Sequence, residues 1–435
     1  MAGSMIDETN PDTNNRRHPE DLRVFKFLRG IVNQIDIAYV STFPPQECGI
    51  ATFTKDLSNA IEKYTPFSDP MVIAVEGNVE IHNFPNVVKF KIIKENHQSY
   101  LDAADLINDS DIWGVSLQHE YGIFGGRDGE YILDFLERLK KPIITTLHTV
   151  LSKPGENQRR IIQRIGEMSC NVVVMVKTGK DILVETYGLS KSKIKVIPHG
   201  VPNVNQRGID EAKRSLGIRN HHVMSTFGLI SRGKGIEYAL KAMPGILEKH
   251  PDTIYLVLGE THPGVRNNEG ESYRRELIQI VQDLGIENNV RFNNKYLTMD
   301  ELIQYLSATD IYITPYINRD QISSGTLAYA LGCGRAIVST RYLYAEEVLS
   351  NGKGMLVDFK NDAEITDAVL AILDDPIMRK QMEEKSITYG RESKWFNVAI
   401  EYLNLFYNKC AKPVMRHPHT TCSSATVDAQ TRRIS

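Results

Sequence analysis

The strongest constraint in this sequence is a repeated alternation. Short β-branched runs that are apolar from end to end are each followed by a stretch with helical spacing. "IDIAYVST", from Ile35, precedes the helical "ATFTKDLSNAIEKY". "PMVIAVE", "VVKFKII" and "IWGVSLQH" follow, then the helical "YILDFLERL", "PIITTLHTV", the helical "QRRIIQRIGEM", "NVVVMV" and "KIKVIPHGV". A strand apolar on both sides needs cover on both sides, so such runs separated by helices predict a parallel sheet between two helical layers. After the turn-like "VPNVNQRG" a second series begins at "HVMSTFGLI". It runs through "TIYLVLGE", "VRFNNKYL", "IYITPY", "AIVST" and "GMLVDF", with helical text between.

The predicted fold class is therefore α/β: two tandem Rossmann-like, doubly wound domains facing each other across a cleft. Ligands of such sheets sit beyond the carboxyl ends of the strands. The boundaries read as a polar tail at 1–22, a first domain at 23–202 and a second at 203–394. A helix at 395–412 packs back on the body, and a polar tail fills 413–435; both tails are expected to be disordered. The 435 residues suffice for two such cores.

Composition narrows the function. A net charge of −3 does not suit a general nucleic-acid or membrane-surface binder. The five cysteines are scattered, with neither a disulfide framework nor zinc spacing, which suits a reducing compartment. The amino-terminal text has no signal-peptide apolar stretch, and no apolar run is long enough to cross a bilayer. The expectation is a cytoplasmic enzyme.

One stretch carries most of the chemistry. "FGLISRGKG", Phe227 to Gly235, has the G-x-x-x-x-G-K spacing of a P-loop, but Gly235 stands where the Mg²⁺-binding Ser or Thr would be. Its place between a strand and a helix offers unpaired N–H groups and a positive dipole end to an anion. Arg232 and Lys234 add cations where a helix start ordinarily favours Asp or Glu. A surface loop with two basic residues explains this stretch equally well on local grounds. "ISSGTLAYALGCG" offers a second donor-rich helix start, with Ser323, Ser324 and Thr326 around Gly325; alone it reads as an ordinary N-cap. Two such starts in one domain suggest a diphosphate held between them. In the first domain Cys48-Gly49 follows a Pro-rich loop, where glycine permits close backbone approach to a phosphate. His119 and Glu120 fall at one strand end and His148 at another, whereas His199 in "VIPHGVP" reads as a loop packer.

In order and spacing, "PPQECGIATFTKDL", "LHTVL", "VIPHGV", "FGLISRGKGIEYALKAM", "YLSATDIYITPY", "SSGTLAYALGCGRAIVST" and "NGKGMLV" resemble the family-4 retaining glycosyltransferases of the GT-B fold. The resemblance runs from about Ile35 to Tyr407. It implies a nucleotide-diphosphate sugar, GDP-mannose or UDP-glucose, on the second domain and a carbohydrate or small acceptor on the first. By position it implies that Gly49 approaches the distal phosphate, His148 lies beside the transferred sugar, and Lys234 grips the diphosphate. Gly228 and the Gln321–Ser323–Ser324–Gly325–Thr326 segment would complete the donor site.

This sequence departs from the family twice. Leu229 stands where an Arg is usual, and Arg232 is the candidate to replace it. Gln321 and Tyr329 stand where two glutamates are usual, with Glu347 (or Glu346) as a candidate to compensate at the nucleotide. The resemblance implies transfer in which the leaving diphosphate itself takes the acceptor's proton, with no protein base, metal or other cofactor. A disaccharide phosphorylase on the same fold and a non-catalytic sugar-nucleotide binder stay open at this point.

Overall fold

The computed structural model describes residues 35–65, 70–77, 82–204 and 208–410. The tails expected at 1–22 and 413–435 lie outside the described residues. Two sheets, parallel throughout, form the body. The first has seven strands: β1 (Ile37–Ser41), β2 (Met71–Glu76), β3 (Val88–Ile93), β4 (Gly114–His119), β5 (Ile143–Leu147), β6 (Asn171–Val174) and β7 (Ile194–Val196). Their order is β3-β2-β1-β4-β5-β6-β7. The second has β8 (His222–Phe227), β9 (Thr253–Leu258), β10 (Val290–Asn293), β11 (Ile311–Thr314), β12 (Ala336–Thr340) and β13 (Met355–Val357), in the order β10-β9-β8-β11-β12-β13. Each order turns around beside its first strand, so both sheets are doubly wound and place a switch point at β1/β4 and at β8/β11.

The apolar runs explain the sheets. Every residue of β1, β4, β5, β9, β11 and β12 is buried. The edge strands β3 and β7 are partly exposed and carry the lysines a solvent edge tolerates. The helix Gly49–Glu62 covers the first sheet with Ala51, Phe53, Thr54, Leu57, Ser58 and Ile61, a one-sided stripe at helical spacing. Six helices have no counterpart in the sequence reading: His97–Asn108, Lys177–Glu185, Ile209–Ser215, Pro263–Glu269, Leu343–Val348 and Pro376–Glu392. The last buries only Met382, Ser386 and Gly390, too thin a stripe to stand out as a period. Its start is nonetheless well marked, since Asp375 accepts from the Ile377 and Met378 amides and Pro376 opens the helix. Among the described residues no helix is long and apolar enough to cross a membrane.

The chain passes between the domains twice, and the two passages are paired. The Val201 amide donates to the Ser393 carbonyl at 2.9 Å, and the Trp395 amide to the Val201 carbonyl at 3.1 Å. The final helix, Trp395–Cys410, then lies on the first domain, where Tyr402 hydroxyl and Thr146 Oγ1 are 2.7 Å apart. At the crossing the Trp395 indole lies against Gly200 and packs edge-on to Phe53, with ring centroids 5.1 Å apart. A Cβ on Gly200 would fall 2.2 Å from that indole. Gly200→Ala should therefore lower stability by about 1–3 kcal/mol through overpacking, read as a lower denaturant midpoint. An unchanged midpoint would show that the indole moves aside without cost.

Candidate active site

The cleft between the two sheets is built first from the turn after β8. Gly228, with φ 124°, ends the strand, and a single 3₁₀ turn at Arg232–Lys234 leads into the helix Ile236–Lys249. Gly235 has φ 61°, and a Cβ there would lie 2.1 Å from the Pro315 carbonyl oxygen. Backbone conformation and the neighbouring strand exit both demand glycine at this position. The Ser or Thr of a P-loop cannot occupy it.

Lys234 is aimed by aromatic packing. Its Nζ donates to the Tyr316 hydroxyl at 2.9 Å and lies 4.1 Å from the centre of that ring. Tyr316 is itself stacked on Tyr342, with centroids 5.3 Å apart. The Tyr316 hydroxyl is 2.7 Å from Thr326 Oγ1, which is 3.1 Å from Ser324 Oγ. Ser324 caps the helix Gly325–Gly332 by accepting from the Leu327 amide at 3.3 Å. A Cβ on Gly228 would sit 3.1 Å from Thr326 Cγ2 and 4.0 Å from Lys234 Nζ. Lys234, Gly228, Ser324 and Thr326 thus converge, and the second donor-rich helix start is joined to the first through Tyr316. Among the described residues no carboxylate forms an ion pair with Lys234.

Arg232 does not join them. Its Nη1 and Nη2 bind both oxygens of Glu276 at 2.7 and 2.6 Å, Nη2 reaches Glu269 at 3.1 Å, and the guanidinium lies over Tyr273. The side chain expected to replace the missing arginine at Leu229 is paired with Glu276 and Glu269 in this structure. Two carboxylates on the segment after β9 hold the guanidinium in a forked geometry that a third site would have to outbid. Glu347 is also engaged elsewhere. Its carboxylate accepts from the Lys177 and Thr178 amides at 2.6 and 2.8 Å and from Thr178 Oγ1 at 2.8 Å. An acidic group at the amino end of the helix Lys177–Glu185 is a favourable pairing with its dipole, so the residue expected to compensate at the nucleotide caps a helix of the opposite domain in this structure.

The first domain supplies the other wall. Gly49 opens the helix Gly49–Glu62, and a Cβ there would meet nothing within 4 Å, so the packing leaves open space beside its Cα. His148 follows β5; its Nε2 is 3.0 Å from Gln118 Oε1, and its ring stands edge-on to Phe53 at 4.9 Å. The Ser323 hydroxyl donates to the His148 carbonyl at 2.8 Å, tying the two walls together. Gln321 Nε2 donates to the Ser323 carbonyl at 2.9 Å. Nearby, Glu120 accepts from the Thr149 hydroxyl, and Ser152 donates to Asp320 at 2.9 Å.

Three participants escaped the sequence reading, and a fourth, His199, reads there only as a loop packer. Tyr316 aims Lys234, and Gln118 orients His148. His199 lies against the second helix start, since a Cβ on Gly325 would be 3.0 Å from its Nε2. Asp56 receives the Tyr329 hydroxyl at 2.8 Å, so the tyrosine at the place of the usual glutamate forms a hydrogen bond between domains. None of these four has a local signature; each contact joins residues distant in sequence. Burial raises the Asp56 pKa above the ordinary carboxylate range.

Burial also keeps the cleft histidines neutral. Desolvation pushes His148 down to about 3, with the neighbouring His199 and His119 adding to the effect, and His199 down to about 4. His119 is pushed down to about 3 by burial, and among the described residues neither of its ring nitrogens has a hydrogen-bond partner. His148 is therefore a hydrogen-bonding group at neutral pH, not a cation.

Residues 209–389 match the protein family described as "Glycosyl transferases group 1". The D-inositol 3-phosphate glycosyltransferase of Corynebacterium kroppenstedtii is 27% identical over 329 residues, which cover 71% of this chain and 70% of that protein. Anabaena HepE, solved in complex with UDP, superposes with a TM-score of 0.67 at 14% identity, covering 85% of this chain and 99% of that one. The sucrose-phosphate synthase of Thermosynechococcus elongatus gives a TM-score of 0.67 at 14% identity over 85% and 98%. At these identities the structural likeness speaks for the fold.

The histidines also set an acid limit. An unfolded chain protonates them at the ordinary value of about 6.5, while the folded chain resists until about 3 to 4. Unfolding then takes up protons, so their contribution is complete above pH 6.5 and is lost as pH falls toward 4. Denaturant stability should drop between pH 7 and pH 5, and less steeply in His119→Phe. Equal slopes in variant and parent would show that His119 is not held neutral.

Proposed function

We propose that this group 1 glycosyltransferase moves a hexosyl group from a nucleotide-diphosphate sugar to a hydroxyl of a sugar or other small acceptor. The transfer retains configuration at the sugar and uses no metal. The observation that carries the reading is the Lys234 ammonium, held on the Tyr316 ring beside Gly228 and the Ser324-capped helix start. A cation with no carboxylate partner among the described residues, set beside a helix start whose dipole end favours negative charge, makes an anion clamp suited to a diphosphate. HepE has been solved with UDP and with UDP-glucose, which favours a uridine nucleotide as the first donor to test. GDP-mannose is the second.

In this reading the donor diphosphate lies between Lys234 and the helix starts at Gly325 and Gly49. As the glycosidic bond breaks, charge grows on the leaving oxygen, and Lys234 with the amides stabilises it more in the transition state than in the ground state. The acceptor hydroxyl approaches the same face of the sugar and passes its proton to that oxygen. His148 holds a sugar hydroxyl as a neutral partner, so no ionisation of His148 enters the rate at neutral pH. A second reading rests on Tyr329, whose hydroxyl is spent on Asp56 where a nucleotide-binding carboxylate is usual. That arrangement favours phosphorolysis of a disaccharide, with inorganic phosphate in the clamp.

Nucleoside diphosphate release, followed across UDP- and GDP-sugars with and without acceptors, tests the first reading. Release that rises with acceptor supports it. Sugar 1-phosphate formed from a disaccharide and phosphate, with no nucleotide turnover, overturns it for the second. Lys234→Ala should cost about 10²–10³ in kcat, the usual loss on removing one transition-state charge partner. Arg232→Ala should lose less than about tenfold, because that guanidinium is already neutralised by Glu269 and Glu276. Equal losses in the two variants would show that Arg232 leaves its carboxylates to join the clamp.

A further inference from the structure

At the opposite edge of the second sheet, away from the cleft, β8 begins at His222 and β9 at Thr253, and these two residues are paired neighbours in the sheet. That register brings His222 beside Asp252, with His222 Nε2 3.9 Å from Asp252 Oδ2. His250, at the end of the helix Ile236–Lys249, completes the group, its ring edge-on to that of His222 at 5.4 Å. One nitrogen of each imidazole and a carboxylate oxygen of Asp252 all lie within 4.8 Å of one another. From this geometry we propose that His222, His250 and Asp252 form a binding site for a divalent cation of the zinc class, one that serves the fold and not the transfer.

Three observations support the site. The donor set, two imidazoles and one carboxylate, is the kind that selects zinc over magnesium or calcium. His250 Nε2 is hydrogen-bonded to Asp374 Oδ1 at 2.8 Å. A carboxylate behind a histidine fixes the ring and raises its basicity toward a metal on the other nitrogen. His250 also stands at the carboxyl end of its helix, where the dipole favours positive charge. Asp252 and Asp374 together supply the two negative charges that match a divalent ion.

Tetrahedral zinc bonds of about 2.0–2.2 Å place ligands roughly 3.4 Å apart, so the three side chains need to close by about 1 Å. His222 and Asp252 also line a cavity of about 390 Å³, which they share with His221, Arg219, Lys213 and Arg379. Lys213 and Arg379 are committed to Asp310, at 2.5 and 3.4 Å. With His222 and Asp252 separated by 30 positions and placed on a strand start and a turn, no short motif marks the site in sequence.

Titration of the demetallated full-length chain with Zn²⁺ by calorimetry, alongside thermal melting, tests the proposal. One equivalent should bind and raise the melting temperature. His222→Ala and Asp252→Asn should each weaken binding at least tenfold, and Asp374→Asn should do so by about 10–100-fold through the ring it orients. His262→Ala, at a histidine outside the group, should bind as the parent does. Nucleotide-sugar turnover should be unchanged in His222→Ala, which also reports that the variant is folded. Unaltered Zn²⁺ affinity in the His222→Ala/Asp252→Asn double variant would overturn the site, as would no binding by the parent or equal competition by Mg²⁺. The Zn²⁺-binding and melting outcomes do not depend on whether the cleft performs glycosyl transfer, and the parent-like melting of the metal-free variants reports their folding independently of turnover.

Discussion

Two parallel sheets become one body because the chain crosses between them twice and pairs with itself where it does. The Val201 and Trp395 backbone bonds satisfy groups that a lone crossing strand would leave to water. The Trp395 indole, closing over Gly200 onto Phe53, adds a large apolar contact at the same spot. From Phe53 the packing passes directly to the cleft, since that ring also stands edge-on to His148 and His199 at 4.9 and 5.2 Å. The wall facing the second domain is thus an extension of the crossing itself. Ser323, which donates to the His148 carbonyl, and Gly325, against His199, then locate the second helix start relative to the first domain.

The parts legible in sequence were those governed by period and by local turn chemistry. Buried runs such as "IDIAYVST" and "TIYLVLGE" could only be interior strands, and each is one. The glycine-lysine turn was recognisable because a helix start with cations is locally unfavourable without an anion. What stayed hidden was set by contacts between distant residues. Gly235 reads as a damaged P-loop until the Pro315 carbonyl is seen against it. Lys234 is aimed by a tyrosine 82 positions away, and Tyr329 meets a carboxylate 273 positions away. The Arg232 contact stayed hidden for the same reason, because Glu276, 44 positions on, takes its guanidinium. The helix Pro376–Glu392 was missed on different grounds. It approaches its neighbour through glycines, with a Cβ on Gly390 only 2.8 Å from Gly332 Cα, and so shows no apolar stripe.

Lys234 and Arg232 also show how one turn can treat two cations differently. Arg232 is met by carboxylates and contributes little net charge to its surroundings. Lys234 is met by the face of Tyr316, which steadies an ammonium without cancelling it. An aromatic support keeps full charge available to a ligand, where a carboxylate would have held the cation more strongly and cancelled its charge.

The hydrogen bonds that span the cleft make the protein a rival of its own substrates. Tyr329 to Asp56, Thr52 to Tyr296, Ser152 to Asp320 and Glu347 to the Lys177 helix all satisfy polar groups that would otherwise be available to incoming molecules. Any ligand that must part a pair has to replace what it breaks, at about 0.5–1.5 kcal/mol net for each bond. A small molecule able to replace only some of them binds weakly, whereas one that reaches both walls restores the whole set. Selectivity in such a cleft therefore arises partly from the bonds its two walls make with each other, and it favours occupants that span both domains over fragments that touch one.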